Sequence, residues 1–160
     1  PNGAADLYQM RGYFNVFDAN PEIDVVSVQV ANYDSSKARA IMETILQQHP
    51  DLCGVAGNWD GQDVGTGAAV LEAGLADQVY VITSGGGNET GCENLRKGLF
   101  DEIVSYNVPV QGILLNQQIV ELLQLPSKAG ENKVTYFSPL TSITKDNANL
   151  SNCWTLEQLK

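Results

Sequence analysis

The amino-acid sequence predicts an α/β fold, a parallel sheet flanked by helices on both faces. Three observations lead there. Strand-like and helix-like patterns alternate from Leu7 to Leu125. The apolar runs at Leu52–Gly57, Val79–Thr83 and Ile103–Ser105 each end in polar or glycine-rich punctuation, and helical patterns separate them. Strands joined by such crossovers lie parallel with right-handed connections, and helices then cover both faces of the sheet.

The elements follow in order. Residues 4–17 carry Leu7, Met10, Phe14 and Phe17 at 3-4-3 spacing, one face of a helix broken by Asn20-Pro21. Ile23–Val30 is β-branched and reads as a strand. Asp34-Ser35-Ser36 offers N-caps for a helix whose stripe is Ala38, Ile41, Met42, Ile45 and Leu46, stopped at His49-Pro50. The strand Leu52–Gly57 leads through Asn58-Trp59-Asp60-Gly61 into a helix through Val64, Ala68 and Leu71, closed by Gly74. Val79–Thr83 is the next strand, Cys92–Phe100 a short helix, and Ile103–Ser105 a fourth strand. Pro109 suits the first turn of a helix reaching Leu125. Val134–Phe137 and Leu140–Thr144 are strand-like pieces separated by Pro139, and the 146–160 tail has no clear period.

Composition narrows the function classes. With 160 residues, 43% hydrophobic and 18% charged, the chain is globular and long enough to bury a core. A net charge of −10 argues against nucleic acid or an anionic membrane surface as partner. It suits neutral or cationic ligands. No apolar run approaches the length of a membrane span. There is no leader pattern, and Pro1 running almost directly into a helix is expected of a trimmed chain. Cys53 lies in a strand pattern and is expected to be a small buried hydrophobe. Cys92 and Cys153 fall in loop-like sequence, where pairing is open. A single histidine, His49, and three scattered cysteines give no zinc spacing, so no metal or cofactor is expected.

In a parallel sheet the polar strand ends share one edge, the edge at which ligands bind. Asn58, Trp59 and Asp60 there combine an amide, a flat ring and a carboxylate, a compact set for a polyol. The carboxylate accepts hydroxyl protons, the amide donates and accepts, and the indole stacks on C–H groups. On the plainer reading Asp60 N-caps the helix and Trp59 is core. Ser84-Gly85-Gly86-Gly87-Asn88 and Tyr106-Asn107 stand at the same edge. The glycine run could cradle phosphate with its N–H groups, although no Walker lysine follows. Gly65-Thr66-Gly67 lies inside a helix and lacks the dinucleotide spacing. Ser84 has no nucleophile-elbow setting, so catalysis finds no support. Asp6, Asp18 and Asp34 read as helix-surface or capping groups.

The order Gln47-Gln48-His49-Pro50-Asp51, then Asn58-Trp59-Asp60, then Gly65, Gly67-Ala68-Ala69 and Ala73-Gly74 resembles the type I periplasmic sugar-binding proteins, the ribose-binding-like receptors of ABC transporters. The likeness runs from Ala4-Ala5 to Ile143-Thr144-Lys145-Asp146-Asn147. It implies the carboxyl-terminal portion of a receptor in which two α/β lobes close on a sugar and a membrane permease reads the closed shape. Residues 1–107 would form the ligand-binding lobe. Residues 108–160 would hold a helix and crossover strands partly belonging to the absent amino-terminal lobe. The resemblance places Asn58, Trp59 and Asp60 against a small neutral sugar or polyol, with Ser84, Gly85, Tyr106 and Asn107 at neighbouring strand ends. Asp6 falls near a position that often holds a ligand-binding arginine; the nearest here is Arg11. The family usually has an aspartate at the strand end matched by Ser84-Gly85, and this chain has none. A periplasmic or extracellular location is implied, with a lipoprotein tether as one form of it. Self-association through 110–125 is expected if its apolar face lacks a lobe to cover it. The effector domains of lactose-repressor-type regulators share the lobe and remain an alternative, as does a small flavodoxin-like phosphate or nucleotide binder.

Overall fold

The computed structural model describes residues 3–126, 128, 130, 131, 135–149 and 151–159. The expected alternation is present from the second helix onward. Helix α1 spans Ala4–Ala19 and α2 Ser35–Gln48, followed by strand β1 (Gly54–Ala56) and helix α3 (Asp60–Glu72). Strand β2 (Tyr80–Gly85), helix α4 (Glu89–Arg96), strand β3 (Glu102–Ser105) and helix α5 (Val108–Gln124) come next. Strand β4 (Thr141–Thr144) and a short 3-10 helix, Leu156–Leu159, complete the order. No helix among the described residues is long and apolar enough to cross a membrane.

Local signals set several boundaries. The Asp34 side chain accepts from Lys37 N–H and starts α2, while His49 ends it. Gly74 has φ +71°, the left-handed turn that closes α3. Asn88 caps α4 by accepting from Gly91 N–H, and Pro109 sits in the first turn of α5.

The sheet order is β1-β2-β3-β4. The first two pairings are parallel, aligning Val55 with Val81 and Thr83 with Ile103. The last is antiparallel, aligning Ser105 with Thr141 and Glu102 with Thr144, so the sheet is mostly rather than wholly parallel. A parallel partner requires a crossover that packs back across the sheet. Helix α5 buries none of its residues and does not make that crossing. The chain therefore re-enters at Thr141, beside the carboxyl end of β3.

Two expected strands lack ladders. Ile23–Val30 forms no strand because no strand lies beside it to pair with. Its Ile23, Val25, Val26, Val28 and Val30 are exposed. Thr135–Phe137 is likewise unpaired, with Phe137 almost fully exposed; Val134 lies outside the described residues. Cys53 is exposed rather than buried, since β1 has a neighbour on one side only.

The core lies between the sheet and α2, α3 and α4, around Met42, Val70, Val81, Leu95, Phe100 and Ile103. Two glycines of α3 permit this packing. A Cβ at Gly65 would lie 1.8 Å from the Ser35 carbonyl oxygen, and one at Gly67 would lie 1.9 Å from the Leu99 carbonyl oxygen. Gly65-Thr66-Gly67 is a close-approach surface, which explains why helix-weakening residues stand there. Cys92 and Cys153 form a disulfide that closes 61 residues and ties the tail to α4; both are fully buried.

Two outcomes follow for stability. Gly67→Ala gains helix propensity yet meets backbone that cannot step aside, so it lowers stability by about 1–3 kcal/mol in urea unfolding. Replacing both Cys92 and Cys153 by alanine costs about 4 kcal/mol on the chain-entropy account of a loop this long, and limited proteolysis should then cut first in the released tail.

Candidate functional site

The carboxyl ends of β1, β2 and β3 share one edge of the parallel part of the sheet. At β1 the chain passes from Gly57 to Trp59, the N-cap of α3, and Asp60 is the first helical residue. Asp60 is thus not the cap, and Trp59 is not core: its ring is 39% exposed. A Cβ at Gly61 would lie 2.5 Å from that ring, so the indole lies directly over the start of the helix.

One Asp60 oxygen, Oδ1, accepts from Gly61 N–H at 2.9 Å. The other, Oδ2, accepts no hydrogen bond among the described residues and lies against two glycines. A Cβ at Gly85 would stand 2.3 Å from it and a Cβ at Gly91 2.9 Å. Any side chain at 85 would collide with this carboxylate. The strand end where the resemblance leads one to expect an aspartate is therefore kept bare by Asp60 itself. Burial raises the Asp60 pKa, Gly61 N–H opposes that, and the Asp63 charge adds to it. Tyr106 lies within electrostatic reach of Asp60: burial raises its pKa first and the Asp60 charge second. The structure thus brings Trp59, Asp60, Gly85 and Tyr106 together.

The remaining expected residues divide. Ser84 Oγ donates to the Asn58 carbonyl, tying the ends of β1 and β2. Asn107 has φ 49°, and its Oδ1 accepts from Val110 N–H at 3.3 Å, so this amide oxygen caps α5. Asp6 is not a helix-surface group: it is buried and accepts from the Tyr33 hydroxyl at 2.6 Å. Tyr33 in turn meets Trp59 edge-on at 5.9 Å. Asp6 belongs to this flank through Tyr33 rather than through a carboxylate open to a ligand.

Asp63 escaped the sequence reading. It is 2% exposed and accepts from Thr83 Oγ1 at 2.6 Å and from Trp59 N–H at 3.2 Å. Burial raises its pKa, against those hydrogen bonds and one from Gln62. A Cβ at Gly57 would lie 1.9 Å from its Oδ2, so glycine is required there. The only signal was an acid four residues past Trp59, within capping reach of the strand end.

The tail supplies a second unforeseen part. Trp154 donates its indole N–H to Gly86 O at 2.8 Å and its backbone N–H to Gly87 O at 3.0 Å. Its carbonyl accepts from Glu89 N–H at 2.9 Å. Two first-turn donors of α4 are thus committed, Glu89 N–H to Trp154 and Gly91 N–H to Asn88. No cluster of three metal-ligating side chains occurs among the described residues.

Comparison with known proteins agrees with this architecture. The family model of the periplasmic binding protein domain matches residues 1–128. The D-apiose import binding protein of Paraburkholderia graminis is 39% identical over 79 residues, 49% of this chain and 25% of that protein. The ribose import binding protein of Bacillus subtilis is 31% identical over 74 residues, 46% of this chain and 24% of that one. The arabinose-binding protein of Geobacillus stearothermophilus superposes with TM-score 0.73 at 19% identity, covering 92% of this chain and 52% of that structure. A solute-binding protein of Actinobacillus succinogenes with bound D-allose superposes at 0.70 and 22% identity, covering 86% and 47%. The chain spans about a quarter of the curated relatives it matches and about half of these structures. The chain belongs to the periplasmic binding protein domain family.

Proposed function

We propose that this chain is the sugar-capturing lobe of an extracytoplasmic solute-binding protein that delivers a small neutral sugar or polyol to an ABC importer. The observation that carries the reading is Asp60. It presents a carboxylate oxygen with no partner among the described residues, beside the exposed Trp59 ring and Tyr106, at the ligand edge of an α/β sheet. Such a set accepts hydroxyl protons and stacks on C–H faces without making or breaking a bond. The printed names of the apiose and ribose import relatives support the same class. The Cys92–Cys153 disulfide suits an oxidising compartment such as the periplasm or the cell exterior.

In this reading residues 1–107 hold the capturing lobe, and part of 108–160 serves the second lobe. Helix α5 exposes Ile113, Leu115, Ile119, Val120, Leu122 and Leu123. A second lobe covers that face in the parent protein, and another copy covers it in isolation. Closure of the two lobes on the sugar sets the shape that permease subunits read.

A thermal-shift screen at millimolar ligand tests the reading, because a lone lobe makes only part of the contacts. A neutral pentose, hexose or polyol should raise the melting temperature. Asp60→Ala should weaken that ligand at least tenfold by removing a charged acceptor. Stabilisation by phosphorylated sugars alone would instead favour a phosphate binder.

The raised pKa of Asp60 fixes the sign of the pH dependence. The ionised acceptor exists above its folded pKa, which lies above the ordinary value of 3.8. Affinity for the neutral sugar is therefore full above that folded pKa and falls as acid protonates Asp60. Stability shows the opposite sign for this group: the folded state holds the proton more tightly, so stability declines as pH rises through the same window. Asp60→Asn should flatten both profiles, as read by calorimetric titration and denaturant midpoints.

A further inference from the structure

The loop from β2 to α4 has little in its own sequence to hold it. Gly85-Gly86-Gly87 offers no side chain, and three glycines in a row permit many backbone states. The partners of its carbonyls therefore decide where it stands. On the inner side Tyr106 N–H donates to Gly85 O at 3.0 Å and Val108 N–H to Gly86 O at 3.3 Å. On the outer side, among the described residues, the bonds come from one residue of the tail. Trp154 gives its indole N–H to Gly86 O at 2.8 Å and its backbone N–H to Gly87 O at 3.0 Å, and it pairs with Asn88 as an isolated parallel bridge. Gly86 O is thus one acceptor shared by the tail and the start of α5.

The loop is also fitted closely on both sides. A Cβ at Gly86 would lie 2.8 Å from Val108 Cγ2 and 3.8 Å from the Tyr106 hydroxyl. One at Gly87 would lie 2.5 Å from Ser105 Oγ and 3.2 Å from the Asn152 carbonyl oxygen. The first glycine, Gly85, lies against Asp60 Oδ2, so any shift of the loop changes the space around that carboxylate. The tail itself is fixed next to Trp154. Cys153 is bonded to Cys92 of α4, its N–H donates to Asn149 O at 2.8 Å, and Asn152 Nδ2 donates to Asn147 O at 2.7 Å. A donor on so firm a mount dictates the place of a flexible acceptor.

We infer that Trp154 is a positioning residue of the ligand edge: its indole N–H, acting through Gly86, sets where Gly85 stands against Asp60. The geometry rests on the hydrogen bonds alone, and its purpose rests on the sugar-capturing reading above. Trp154 touches no ligand in this scheme and works only through the backbone of the glycine loop. Without the indole donor, Gly86 O keeps the longer Val108 bond alone. The loop then gains freedom, and water reaches Asp60 Oδ2, which favours the ionised carboxylate.

The test is Trp154→Phe in the whole chain, which keeps an aromatic ring, the backbone bonds and the disulfide and removes the indole donor. Leu156→Ala, at a side chain 73% exposed in the same tail, is the control. Amide hydrogen exchange is followed at Tyr106 and Val108, with Gly57 and Val81 as references bonded to Ile82 O and Asp101 Oδ2. The Asp60 carboxyl is titrated by carbon-13 NMR; Asp63 and Tyr106, the titratable groups that interact with it, are left unchanged. The expected result is about fivefold faster exchange at Tyr106 and Val108, the scale of one lost hydrogen bond, with the references unmoved. The Asp60 pKa should fall toward its ordinary value of 3.8, and the control should match the parent. D-Ribose should bind Trp154→Phe more weakly than it binds the parent. Uniformly faster exchange at all four amides, an unmoved Asp60 titration, or equal changes in Leu156→Ala would overturn the assignment. Exchange and carboxyl titration are measured without sugar, so a parent protein that does not bind D-ribose counts against the sugar reading alone.

Discussion

The turn from β1 into α3 depends on one buried carboxylate. Asp63 accepts from Trp59 N–H, which opens the helix, and from the Thr83 hydroxyl, which belongs to the adjacent strand. One side chain therefore fixes the angle at which the chain leaves β1 and joins that exit to β2. Gly57 has no side chain because the carboxylate fills its place. With the turn held in this way, Trp59 and Asp60 have little freedom in where they point. A group committed to three donors in a buried setting serves to position its neighbours, and this is the part of Asp63.

The same edge is shaped by what it excludes. Asp60 leans over Gly85 and Gly91, so the glycines of the second strand end act as space for a carboxylate delivered from the first. The loop after β2 is held from outside by Trp154, which is anchored next to Cys153 in the disulfide. Loop rigidity here comes from a tail nearly seventy residues further along the chain rather than from the loop's own sequence. That arrangement limits the conformational freedom that three consecutive glycines would otherwise give to the site's border.

Much of the architecture was legible because it rests on local signals. Asp34 as a cap, His49 as a helix end, Gly74 as a left-handed stop and Pro109 in a first turn are short-range features, and each occurs as read. What was not legible depends on partners distant in sequence. Ile23–Val30 has the composition of a strand, yet a strand exists only beside another. The antiparallel entry of β4 depends on α5 failing to cross the sheet, which its apolar periodicity cannot reveal. Within the site, Trp59 and Asp60 were visible as chemistry, and their meeting with Gly85 and Tyr106 followed from strand ends sharing an edge. Asp63 was hidden because an acid in a first helical turn is ordinary, and only its burial distinguishes it. Asp6 read as a surface group because its partner, Tyr33, sits beyond an irregular stretch with left-handed residues at Asn32 and Tyr33.

The central claim is that ligand capture occurs at the edge built by Trp59, Asp60, Gly85 and Tyr106. Two-dimensional amide NMR during titration with a neutral sugar identified by screening tests it most directly. The account predicts that the Trp59 indole and the backbone amides of Asp60, Gly85, Gly91 and Tyr106 shift together along one saturable curve. Signals at the opposite edge, such as His49 and Gly74, should stay in place. Shifts confined to that opposite edge or to α5, with the Trp59 indole unmoved at saturation, would contradict it.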